Sequence, residues 1–109
     1  MALLHARPGE VIDVRPLGAR LAQATSTALF KSDTLEVMRL VLPRGKKLLN
    51  HRVPGAITIH CLEGVVELEA QQRSTTLQAG EMMYLQGGEP HALLAQQDAS
   101  VLVTVALPS

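Results

Sequence analysis

Aromatic side chains are nearly missing from this chain of 109 residues, which carries Phe30, Tyr84 and no Trp. Readers of single-stranded nucleic acid stack bases on aromatic platforms, and duplex binders carry a basic excess that neutralises phosphates. Neither feature is present, since 10 Lys and Arg balance 10 Asp and Glu, and no nucleic-acid partner is expected. Cysteine is limited to Cys61, which excludes an intrachain disulfide and any CxxC zinc or redox site. The core therefore has to form without covalent help, and the expected location is cytoplasmic. Long hydrophobic runs are lacking too. Met-Ala-Leu-Leu at the N-terminus gives way at once to His5, Arg7 and Pro8, too short for a signal peptide, and no run approaches the length of a membrane span.

What is present is a globular composition, 47% apolar and 18% charged, and one domain of this length buries about two thirds of its unfolded surface. Apolar residues alternate or run in short blocks that Gly and Pro interrupt, which argues for strands rather than helices. Leu35–Leu42 reads as a buried strand ended by Pro43, Arg44 and Gly45. After a loop through His51, Pro54 and Gly55, the segment 56–62 puts Ile57, Ile59 and Cys61 on one face and Thr58, His60 and Leu62 on the other. Val65–Ala70 alternates, with Val66 and Leu68 inward and Glu67 and Glu69 toward water, and Gln71–Arg73 form the next tip. Further strands are expected at 74–77, 82–85, 92–95 and 101–107. Residues 1–33 read as N-terminal edge elements; within them, 17–24 fits a short helix or an edge strand equally. So many short strands leave exposed edges unless they close into a barrel or a two-sheet jelly roll. The expected fold is all-β, with the barrel over 34–109 of one domain.

With no paired cysteines and no phosphate-binding glycine loop, the four histidines are where chemistry is expected. His5 sits in a polar terminal segment and reads as solvated. His51 and His91 each lie where a loop enters a strand, so that a rigid sheet can aim them. Met38, Met82 and Met83 read as core filler rather than a soft-metal box.

Gly45, His51 and Gly64 stand at the spacing of the first cupin motif, and Gly80, Gly88 and His91 at that of the second, with 15 residues between the motifs. From Thr34 to Leu107 the chain resembles a small single-domain cupin of the RmlC-like type, which implies a double-stranded β-helix (jelly-roll) barrel. The departures fall on the metal ligands. The family's second motif-one His is Val53 here and its Glu is Ile57, while the motif-two Pro and Asn are Gln86 and Ala95. Val and Ile have no lone pair to give, so the resemblance leaves His51 and His91 to hold a divalent Zn, Fe, Mn or Ni ion weakly. If position 57 points inward as the family Glu does, His60 points outward; a β-bulge reverses that, and His60 is kept as an auxiliary ligand. Cys61 reads as a small buried hydrophobe.

Two functions stay open: a barrel that binds a small, aliphatic or anionic molecule without reaction, and a metal-dependent dioxygenase, decarboxylase or isomerase. Arg44, Lys46, Lys47 and Arg52 flank His51 and read either as a solvated turn or as an attractor for a carboxylate or phosphate. No organic cofactor is expected. The resemblance implies a homodimer, and near-zero net charge sets no repulsion against it.

Overall fold

Apolar residues at every second position favour strands because a pleated backbone turns successive side chains to opposite faces. The computed structural model describes residues 5–107, apart from the side chains of residues 50 and 51. Its strands are β1 (Thr27–Lys31), β2 (Leu35–Leu42), β3 (Lys47–His51), β4 (Ile57–Glu63), β5 (Val65–Ala70), β6 (Arg73–Gln78), β7 (Met82–Leu85), β8 (His91–Ala95) and β9 (Ala99–Ala106). They form a five-stranded antiparallel sheet in the order β1-β2-β9-β4-β7 and a four-stranded one in the order β3-β8-β5-β6. The sheets pack face to face around one apolar core, and the fold is a jelly-roll barrel.

Strands β2, β5 and β7 begin and end where the pattern places them. Strand β3 does not follow from the pattern: Lys47-Leu-Leu-Asn-His lacks alternation, reads as loop, and becomes a strand by pairing with β8. The ambiguous segment from Leu17 is a short 3-10 helix, Gly18–Gln23, and the edge strand of this region is β1.

The core is centred on β4 and β9. Ile57, Ile59 and Cys61 stand in register with Val105, Val103 and Val101, and all of them are buried. Val66, Leu68, Leu93 and Ala95 close on them from the other sheet. Each fully buried Val, Leu or Ile contributes about 1.5–3 kcal/mol relative to exposure. The β5–β6 hairpin turns through Gln71 and Gln72 at φ 56° and 60°. This is a primed turn, whose twist matches that of the strands it joins. Two glycines bring loops together beside the barrel: a Cβ on Gly55 would lie 1.9 Å from the Ala106 carbonyl oxygen, and one on Gly87 would lie 2.1 Å from that of Pro54. No side chain fits in either place, and the contact at Gly87 fixes the loop after Val53 against the loop before His91.

The N-terminal segment crosses the outer face of the five-stranded sheet and covers Arg39, which is 5% exposed. The Arg39 Nη2 donates to the Asp13 carbonyl at 3.1 Å. Glu63 holds the same segment from the far side, accepting from the amides of Leu17 (2.9 Å) and Gly18 (3.0 Å) and from the Ser100 hydroxyl. Partial burial alone would raise the Glu63 pKa; the hydrogen bonds from Ser100, Leu17 and Gly18 and the charge of Arg39 outweigh it and hold the carboxyl below its ordinary 4.5.

A carboxyl depressed on folding adds stability that is complete above its unfolded pKa and is lost as pH falls through its folded one. Wild type is therefore expected to lose stability on the acid side of 4.5 more steeply than Glu63→Gln. At neutral pH the variant should be less stable by about 1 kcal/mol, a value discounted for the carboxylate's partial exposure. Urea midpoints measured across that pH range check both statements, and parallel pH curves would remove this role for Glu63.

Candidate functional site

Aliphatic side chains reach only part-way across the gap of about 10 Å between packed sheets, and few aromatics are available to fill the rest. A cavity of about 280 Å³ remains between the sheets. Met38 and Leu40 of β2, Ile57 and Ile59 of β4 and Val103 and Val105 of β9 form one wall. Leu48 of β3, His91 and Leu93 of β8 and the loop residue Val53 form the other. His91 is the one polar side chain among the described residues of this lining.

His91 opens β8 and is 6% exposed. Its Nδ1 lies 3.1 Å from the Glu89 carbonyl oxygen. A carbonyl only accepts, so Nδ1 donates its proton to it, and the ring is oriented by that bond. The backbone pairing of β3 with β8 sets His51 opposite His91, just past an irregularity in the ladder after Leu48. The His51 side chain lies outside the described residues. The two strand-entry histidines are thus brought to one place in the backbone.

His60 is not brought there. The β4–β7 register is regular from Ile57 to His60, and the only irregularity on the β9 side comes after Cys61. Alternation therefore leaves Ile57 and Ile59 on the cavity wall and turns His60 to the outer face, beside Met82 and Leu102. Cys61 is fully buried, and its thiol donates to the carbonyls of Glu63 and Gly64 at 3.5 Å each. Burial pushes its pKa up, so it stays a thiol rather than becoming the thiolate that a metal requires. Arg44, Lys46, Lys47 and Arg52 are all exposed.

Val53 and Ile57, the positions where the cupin resemblance would place a His and a Glu, both line the cavity as apolar groups. Among the described residues no three His, Cys, Asp or Glu side chains are grouped closely enough to hold a metal ion. Catalytic sites usually give three protein ligands, so this donor set does not fit a tightly held catalytic metal. Leu48 is a wall residue that sequence reasoning missed, because its strand carries no alternation. Gly55 and Gly87 were missed as well, since their role is a backbone approach between distant segments.

The family model described as Cupin domain matches residues 38–106, more than half of the chain. The chain belongs to the cupin family. Solved cupins share its fold. One is a cupin superfamily protein from Desulfitobacterium hafniense, 16% identical with a TM-score of 0.78 over 94% of this chain and 100% of that one. Another is an RmlC-like cupin from Desulfovibrio desulfuricans, 23% identical with a TM-score of 0.74 over 89% and 97%. A conserved protein of unknown function from Streptococcus pyogenes is 22% identical with a TM-score of 0.76 over 100% and 99%. No curated protein matches the sequence.

If Val53 and Ile57 are what withhold a metal, the double variant Val53→His, Ile57→Glu adds two donors to a wall that already holds His91. It is expected to take up zinc near one equivalent, at a cost in apo stability of a few kcal/mol, about what burying an unpaired carboxyl entails. Metal content and thermal unfolding with and without zinc check this. No gain in uptake by a folded variant would mean that the two positions do not converge on the histidines.

Proposed function

We propose that this cupin is a binding barrel for a small aliphatic molecule with one anionic or hydrogen-bonding group. The apolar body occupies the cavity, and the polar end meets His91 and its backbone partner His51. The lining carries this reading: among the described residues it is hydrocarbon apart from one imidazole, in a volume of about 280 Å³ that sits at the small end of ligand pockets. Such a wall offers no stacking surface for a sugar or a base. The exposed cations Arg44, Lys46, Lys47 and Arg52 favour approach of a carboxylate over that of a cation.

A second reading is supported by the His51–His91 backbone pairing. Two imidazoles there would hold an exchangeable Zn, Fe, Mn or Ni ion, and the chain would be a metal-dependent dioxygenase, decarboxylase or isomerase.

A panel of short aliphatic acids and alcohols, scored by thermal shift and calorimetry, tests the first reading. Binding is expected in metal-free protein, to be abolished by the cavity-filling Val103→Phe, and to weaken by about tenfold in His91→Ala, the loss of one hydrogen bond to the polar end of the ligand. If the protein instead takes up near-stoichiometric metal, loses it in both His51→Ala and His91→Ala, and turns over a small acid or enol only when loaded, the second reading replaces the first.

We further propose a homodimer that pairs through the β7 end of the five-stranded sheet, at the opposite edge from β1. At its β7 edge Met82 and Tyr84 are 60% and 62% exposed, and 10 positive and 10 negative side chains leave no net repulsion between copies. Light scattering is expected to give twice the chain mass, and a value near 11.7 kDa at micromolar concentration would remove this proposal.

A further inference from the structure

Outside the barrel, on the opposite side of β2 from the cavity, three arginines line one groove. Arg39 rises from the outer face of the five-stranded sheet, where the register sets it between Thr27 of β1 and Leu102 of β9. It is 5% exposed, a burial that arginine accepts only with compensation. Together with Arg15 and Arg20 it lines a groove of about 690 Å³ between the sheet and the N-terminal segment. Pro16, Leu17 and Leu29 supply apolar wall in the same groove.

The cations there outnumber the anions. Asp13 is the one acidic residue of the lining, and Arg15 engages it through Nε at 3.0 Å and Nη2 at 2.8 Å, the sole ion pair among the described residues. Glu63 is close enough to feel the charge of Arg39, but its oxygens are engaged by the Leu17 and Gly18 amides and the Ser100 hydroxyl. Arg39 gives a single hydrogen bond, to the Asp13 carbonyl, although a guanidinium has five N–H donors in a planar fork. The exposed Arg20 side chain adds a second cation that forms no ion pair among the described residues.

A largely buried arginine whose remaining guanidinium nitrogens keep contact with solvent in the groove, a second arginine in the same lining and hydrocarbon on the walls are the elements that recognise an oxyanion. We propose that this groove is a binding site for a small organic oxyanion, a carboxylate or phosphate ester with a short apolar body, held by Arg39 and Arg20. It is separate from the barrel cavity, so its success or failure does not depend on the function proposed above. Occupancy would also pin the N-terminal segment to the sheet, because Arg39 already holds that segment through Asp13.

The test is titration of the full-length protein, followed by amide NMR, with three probes: inorganic phosphate, butyl phosphate and hexanoate. Saturable shifts confined to 13–29 and the neighbourhood of Arg39 are expected from at least one organic probe, with weaker ones from inorganic phosphate. Arg20→Gln, an exposed change that keeps the Arg39–Asp13 contact, should weaken binding by about tenfold, and Lys46→Gln in the distant basic loop should leave it unchanged. Butyl phosphate binding more tightly than hexanoate, or the reverse, names the head group. The proposal is overturned if no probe saturates, if Arg20→Gln leaves the affinity unchanged, or if the shifts centre on cavity residues such as Ile59 and Leu93 or on the 44–52 loop.

Discussion

The pairing of β4 with β9 at the middle of the five-stranded sheet is the constraint on which the rest of the molecule depends. It aligns Ile57, Ile59 and Cys61 with Val105, Val103 and Val101, so that one face of the sheet is continuous hydrocarbon that only the opposite sheet can cover. A slip of one residue would turn these side chains to water and bring Thr58, His60, Leu102 and Thr104 inward, which makes the register costly to change. Covering the face fixes where β5 and β8 lie, and β8 in turn creates β3 from a segment with little strand character of its own. Everything that happens at the cavity follows from that closure.

The cavity is a consequence of which side chains do the covering. Valine, leucine and isoleucine seal the edges of the barrel interior but are too short to fill its centre, and the chain has almost no aromatics to do so. A metal at this place would require the cost of desolvating donors to be met by ligation. With Val53 and Ile57 on the wall, hydrocarbon stands where the family pattern has two ligands, and His91 is the polar mark of the pocket among the described residues. The ring is oriented by the Glu89 carbonyl, to which Nδ1 donates.

The outer face of the same sheet has a different logic. Arg39 occupies a position that alternation sends to solvent, yet the N-terminal segment returns across it and takes it out of water. Glu63 and Arg39 hold that segment from two sides, one through backbone amides and the other through a backbone carbonyl. Those contacts help to dock the strap, and through the depressed Glu63 carboxyl they couple its docking to pH.

Alternation was enough to read β4 and β5, while an apolar run ended by Pro43-Arg44-Gly45 marked β2 and glycine breaks marked β7, because these signals lie in the residues themselves. The spacing of Gly45, His51, Gly64, Gly80, Gly88 and His91 carried the family resemblance, and the identities of Val53 and Ile57 already said that ligands were missing. Other features could not be read in this way. Strand β3 and the wall residue Leu48 arise from pairing with β8, Gly55 and Gly87 matter because distant backbone comes within contact of them, and the outward aim of His60 depended on where a bulge fell. The convergence of Arg15, Arg20 and Arg39 likewise needed the chain to fold back over its own sheet. The sequence by itself determined which residues are hydrocarbon, which alternate and which donors remain. Tertiary structure alone decided which of them meet, because contact between segments far apart in the chain is set by sheet order and closure rather than by local preference.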